Sequence, residues 1–199
     1  MVPTTGWAPK SKADIQSAIV ECRKLSNDCS KGPHGPIEKW DVSAVADMSW
    51  LFFDSKNKLG VGGNNFNGDI SKWDVSKVTD MGFMFYYSSS FNGDISKWDV
   101  SKVTNMWSMF ARASSFDCDI SKWDVSKVTN MFGMFHSASS FNADIYKWDV
   151  SKVTNMKEMF AGASSFSQTL AGAWYASTAD KTGMFKGSAG VISKTSKNT

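Results

Sequence analysis

Apolar residues recur along most of this chain with a period of 25 residues, far longer than the period of any single strand or helix. The stretch ISKWDVSKVT occupies residues 70–79, 95–104 and 120–129, and a further copy at 145–154 differs only in Tyr146. Aligning the copies divides the chain into units 66–90, 91–115, 116–140 and 141–165. A looser unit, 37–65, precedes them and carries a Gly-, Asn- and Lys-rich insertion over 54–65 that predicts an exposed loop. A degenerate unit, 166–185, follows, with Leu170, Trp174, Met184 and Phe185 as its landmarks. A sequence period in the range of about 20–50 residues signals a solenoid, propeller or array. Propeller blades are longer than this, so the spacing predicts one solenoid coil per unit.

Within the unit, Phe91, Ile95, Trp98, Val100, Val103, Met106, Met109 and Phe110 are the recurring apolar positions. The stretch around Ile95 suits a short parallel strand stacked on its equivalents. Asp99 then predicts a turn, its carboxylate taking the backbone N–H two residues on. The residue before each Met reads Asp47, Asp80, Asn105, Asn130 and Asn155. Asp and Asn interchange at helix N-caps, so a short helical turn is expected next, with Met106, Met109, Phe110 and Ala113 facing inward.

Upstream, residues 11–25 read as an amphipathic helix capped by Ser11, with Ile15, Ala18, Ile19, Cys22 and Leu25 on its apolar face. Because a solenoid must cover its end coils, residues 1–36 are read as a capping helix and lead-in. Residues 186–199 read as a mobile tail.

The unit FNxDISxWDVSxVTNMxxMFxxAxS resembles the repeat of the BspA-like leucine-rich-repeat surface proteins, over about residues 37–166. That resemblance implies an α/β repeat fold, a right-handed leucine-rich-repeat-like solenoid with one short parallel strand and one short helical turn per coil. It also implies display at the cell surface as a binding or adhesion module.

Composition narrows the chemistry. With 22 basic and 19 acidic residues, the net charge of +3 gives no field that points to nucleic acid or a membrane surface. No apolar run is long enough to span a membrane, and the opening MVPTTGWAPKSKADIQ contains no signal core. Cys22, Cys29 and Cys118 match no zinc spacing. Cys22 and Cys29 can close a short loop in an oxidising compartment or remain reduced. No nucleophile elbow, phosphate loop or dinucleotide fingerprint occurs, and the two histidines, His34 and His136, lie far apart. The chain is therefore expected to be no enzyme and to need no cofactor or metal.

Stacked coils would align Asp69, Asp94, Asp119 and Asp144 in one row and Lys72, Lys97, Lys122 and Lys147 in another. Similar rows run through Asp74 and Lys77. One carboxylate per coil is thin coordination for calcium, so these rows read as a solvated, self-neutralising face. Trp73, Trp98, Trp123 and Trp148 form a further ladder, which packs between coils or, in the alternative, holds sugars.

Sites particular to this chain should lie where the units differ. After each Asx–Met pair come Ser49–Trp50, Gly82–Phe83, Trp107–Ser108, Phe132–Gly133 and Lys157–Glu158. One turn further on, Phe53, Tyr86, Tyr87, Arg112 and His136 lie near the same edge. A row of aromatics this long exceeds the apolar patch that monomers usually expose, and its composition is that of protein interfaces. The opposing expectation is that the carboxy-terminal segment, or a neighbouring ring, folds over it. The reading adopted is a non-enzymatic scaffold that binds a protein partner or assembly through Trp50, Phe53, Phe83, Tyr86, Tyr87, Trp107, Arg112, Phe132 and His136. Carbohydrate is the alternative ligand, and ice or mineral binding a weaker one.

Overall fold

A computed structural model describes residues 6–53 and 65–195. The insertion expected at 54–65 falls almost wholly outside them, as do the last residues of the tail.

Helix α1 spans Lys12–Arg23. Its Ser11 side chain accepts the Asp14 N–H while Asp14 reaches back to the Ser11 N–H, a reciprocal capping box. Ile15, Ala18, Ile19 and Cys22 are buried, and Cys22 is disulfide-bonded to Cys29. Leu25, assigned above to the apolar face, lies beyond the helix end and is 63% exposed. A single 3-10 turn, Ile37–Lys39, leads into the repeats.

The strand and helical turn expected in every unit are not there. Among the described residues the only other regular elements are β1 (Thr169–Leu170), α2 (Ala173–Ala176) and β2 (Val191–Ile192). The solenoid of leucine-rich-repeat type is therefore corrected. The units are built from turns, and they stack through isolated parallel bridges that run Asp47–Asp80–Asn105–Asn130–Asn155–Asp180.

Backbone chemistry explains both losses. Near Ile95, Asp94 accepts hydrogen bonds from the Ser96 N–H (3.0 Å) and Ser96 Oγ (2.6 Å). Trp98 N–H then closes on Ile95 O at 3.1 Å. A segment satisfied by its own turn has little left for a ladder. In the Met-x-x-Met-Phe segment, Phe83 and Tyr87 hold φ of 58° and 60°, as do their equivalents Ser108 and Arg112 (50° and 63°). Left-handed residues four apart interrupt any α-helix. Instead, Met84, Tyr86 and Ser88 donate back three residues to Met81, Phe83 and Phe85. The alternate groups of Met81, Phe83, Phe85 and Tyr87 donate forward to Asn105, Trp107, Met109 and Ala111 at 2.8–3.0 Å. Half of the backbone thus forms turns and half joins one unit to the next.

The core runs through the stack as aligned rows. Phe85, Phe110, Phe135 and Phe160 stack with centroids 5.4–5.7 Å apart and planes 4° from parallel. Met106, Met109, Phe110 and Ala113 are fully buried, so their inward orientation survives the loss of the helix. Each buried tryptophan also crosses a boundary. Trp98, Trp123 and Trp148 donate Nε1–H to the carbonyls of Ile70, Ile95 and Ile120 at 3.1 Å, and Trp174 of α2 reaches Ile145 at 3.2 Å. A buried indole needs such an acceptor.

The tail is held further than expected. Residues Val191–Ile192 pair in parallel with Thr169–Leu170, and Ser193 N–H donates to Leu170 O.

Candidate partner-binding edge

The first left-handed position of each unit is held by Trp50, Phe83, Ser108, Gly133, Glu158 and Gly183. The second is held by Tyr87, Arg112, Ser137, Gly162 and Gly187. Glycine enters this region freely, whereas a residue with a Cβ pays about 1–2 kcal/mol. Glycine, the residue that the backbone prefers, appears only in the later units, at Gly133, Gly162, Gly183 and Gly187, beside Ser137 and Glu158. The earlier units carry Trp50, Phe83 and Tyr87 at these positions, beside Ser108 and Arg112.

These side chains meet. Trp50 stacks on Phe83 at 3.8 Å, Phe83 leans on Trp107 at 4.8 Å, and Trp107 meets Phe132 edge-on at 5.8 Å. Phe53 lies 5.0 Å from Trp50, and Tyr86 lies 5.3 Å from Phe83 and 4.6 Å from Tyr87. The Arg112 guanidinium sits 4.8 Å over the Tyr87 ring, close enough for a cation–π contact. Arg112 N–H donates to His136 O, and His136 Nε2 lies 3.8 Å from Glu158 Oε2. All nine residues singled out above are therefore brought to one edge spanning the units from 37–65 to 116–140.

Trp50 is 37% and Trp107 42% exposed, and the rest of the nine are half-buried, apart from the exposed Arg112. Partial burial comes from the neighbouring rings and not from the carboxy-terminal segment, which pairs with β1 at the far end of the stack. The edge abuts α1 at one end, where Gln16 Nε2 donates to Trp50 O and Lys12 Nζ bonds Asp47 Oδ2 and Ser49 Oγ.

Trp73, Trp98, Trp123 and Trp148 offer no sugar platform, since each is no more than 4% exposed. The aspartate rows are occupied locally. Asp99 takes the Ser101 N–H at 3.1 Å, and hydrogen bonds from Ser101 hold its carboxyl below the usual range. Asp69, Asp94 and Asp119 are lowered in the same way by Ser71, Ser96 and Ser121. Among the described residues no group of three His, Cys, Asp or Glu is placed to hold a metal ion. No helix among them is long and apolar enough to cross a membrane.

What sequence reasoning missed at this edge is the left-handed backbone. Its signal was available in Gly133, Gly162, Gly183 and Gly187, which fall at the two positions in later units.

A protein family described as "Mycoplasma protein of unknown function, DUF285" matches the chain twice, over residues 20–120 and 93–198. No curated protein and no solved structure matches it.

Proposed function

The chain belongs to the DUF285 family, and on that premise we propose that it is a non-enzymatic repeat scaffold whose aromatic edge binds a protein partner. The observation that carries this reading is the placement of Trp50, Phe83 and Tyr87 at left-handed positions where the same scaffold elsewhere uses glycine. A bulky residue held in a disfavoured conformation is retained for something other than the backbone it strains. Here it yields a partly exposed row of Trp, Phe, Tyr and Arg, residue types that are enriched at protein interfaces.

Protein is favoured over carbohydrate by the shape of the row. The Trp50 ring face is covered by Phe83, and Phe83 is flanked by Trp107 and Tyr86, so the rings present mainly edges. Sugars stack on open faces; side chains of a protein partner fill the notches between edges.

The finer kinship with BspA-like surface proteins fits a role outside the cell. The Cys22–Cys29 disulfide supports it, because such bonds persist in oxidising compartments. Surface extracts of the native source, passed over immobilised chain beside a glycan array, test the reading. A protein retained by wild type and released by excess soluble chain is the expected result. Glycan binding with no such protein would overturn it.

A further inference from the structure

The sequence FNGDISKWDVSKVT occurs twice, at residues 66–79 and 91–104, and these copies hold the only Asn–Gly pairs of the chain, Asn67–Gly68 and Asn92–Gly93. In the same slot the next units carry Asp117–Cys118 and Asn142–Ala143. The side-chain oxygens of this row join the units. Asn92 N–H donates to Asn67 Oδ1 at 3.0 Å, and Asp117 N–H to Asn92 Oδ1 at 2.9 Å. Asn142 N–H donates to Asp117 Oδ1 at 2.8 Å, and Ser167 N–H to Asn142 Oδ1 at 3.1 Å. The side-chain nitrogens of Asn67 and Asn92 donate to nothing among the described residues. Only the oxygen is used, and Asp117 does the same work without an amide.

From this row we infer that Asn92 is a site of spontaneous deamidation, converted to aspartate through a cyclic imide while the chain stays folded. The Gly93 backbone nitrogen attacks Asn92 Cγ, forming an N–Cγ bond and placing negative charge on Oδ1. The Asp117 N–H already faces that oxygen, and a positioned donor stabilises such charge. The Cγ–Nδ2 bond then breaks, and the displaced nitrogen takes the Gly93 amide proton and leaves as ammonia. Water adds to the imide at Cγ and cleaves the new bond, returning a proton to Gly93 N and leaving a carboxylate. One water enters and one ammonia leaves, with no redox partner. The oxygen that receives the Asp117 N–H is kept, so the joint survives in the form that Asp117 already has.

Identical neighbours give Asn67 and Asn92 the same intrinsic reactivity, so the fold decides between them. Attack on Cγ requires the peptide after the asparagine to swing round, and misplacing the reacting atoms by about 1 Å can cost about 100-fold in rate. Gly93 is half-buried, and its N–H has no acceptor among the described residues. A methyl group added there would lie 3.7 Å from the nearest backbone atom of the preceding unit, Gly68 O. Gly68 is buried, and a methyl group added to it would run into the Asp28 carbonyl oxygen and the Phe66 ring. Asn142 is followed by a residue with a Cβ, and Gln168 Nε2 holds its backbone and side-chain oxygens at 3.0 and 3.2 Å. Of the three, Asn92 combines a glycine with room to move.

Incubation of the full chain at mildly alkaline pH in water labelled with heavy oxygen, followed by tryptic mass mapping, tests this. Asn92 should take up the label at least about tenfold faster than Asn67 or Asn142. In denaturant, Asn92 and Asn67 should react at equal rates. Gly93→Ala, which puts in this slot the residue found at Ala143, should slow Asn92 by at least about tenfold. Asn92→Asp should melt within about 4 °C of wild type. Equal rates at Asn67 and Asn92 in the folded chain would overturn the inference, as would faster reaction at Asn67. So would no label at Asn92 while the denatured chain reacts, or an unchanged rate in Gly93→Ala. A larger fall in melting temperature for Asn92→Asp would also overturn it, because the product would not keep the fold.

Discussion

The Trp50 ring lies on the Phe83 ring at 3.8 Å with planes 8° from parallel, and both residues hold positive φ, of 60° and 58°. Two opposing terms meet at this pair. Stacking is worth about 0.5–1.5 kcal/mol beyond area burial, while each left-handed residue costs about 1–2 kcal/mol. Replacing Trp50 by Gly should consequently change unfolding free energy by less than about 1 kcal/mol. The buried Phe85→Ala, by contrast, should lose about 3–5 kcal/mol. Chemical denaturation of the two variants beside wild type compares them. A loss at Trp50 as large as that at Phe85 would make the ring a core residue.

Ser88 lies in a slot that the next units fill with Ala113, Ala138 and Ala163, all fully buried. Its hydroxyl is buried too and has no hydrogen-bond partner. Removing an unsatisfied polar atom from such a place relieves a desolvation cost, so Ser88→Ala should stabilise the fold by about 1 kcal/mol. A rise in melting temperature checks this, and a fall would mean that the hydroxyl is satisfied in solution.

The carboxylates set the response to acid. Serine hydrogen bonds hold Asp69, Asp74, Asp94, Asp99, Asp119, Asp124 and Asp149 below the ordinary aspartate value. Thr182, then Lys157, bring Asp180 down to about 2. Below about pH 4 the unfolded chain therefore takes up protons before the folded one does. Stability contributed by these groups is complete above that pH and is lost as pH falls toward 2. Denaturant midpoints measured from pH 6 to pH 2 should be flat at first and then decline through this window. Pairing Ser96→Ala with Ser121→Ala should make the decline shallower; an unchanged profile would remove the serines from the account.

The period, the inward residues and the aromatic edge were legible in the sequence, because each depends on which positions vary between units. The helical turn was misread because Met106, Met109, Phe110 and Ala113 have the spacing of a helical face, and a chain of turns with every fourth residue left-handed buries the same positions. Asn105 illustrates the ambiguity. Its Oδ1 takes the Trp107 N–H at 3.2 Å, as an N-cap would, yet no helix follows. The N–H bonds that join one unit to the next were invisible, since they depend on which backbone groups pair.

The Asx bond itself remains testable. Asn130 Oδ1 accepts the Phe132 N–H at 3.0 Å. Asn130→Ala should lose about 0.5–2 kcal/mol, the typical value of such a local side-chain bond, while Asn130→Asp keeps the oxygen and should stay near wild type. Equal losses in equilibrium unfolding would show that the amide nitrogen matters instead.

The central claim is that the row through Trp50, Phe83, Trp107 and Phe132 holds a protein. Photo-crosslinking on the native source addresses it most directly, with a benzophenone side chain placed at Trp107 in one variant and at Ser101, in the aspartate–serine turn, in another. The probe at Trp107 should give one discrete protein adduct, abolished by excess wild-type chain and not by the Trp107→Ser/Phe132→Ser variant. The probe at Ser101 should give none. Equal competition by the double variant, folded as judged by its melting curve, or adducts from Ser101 alone, would contradict the account.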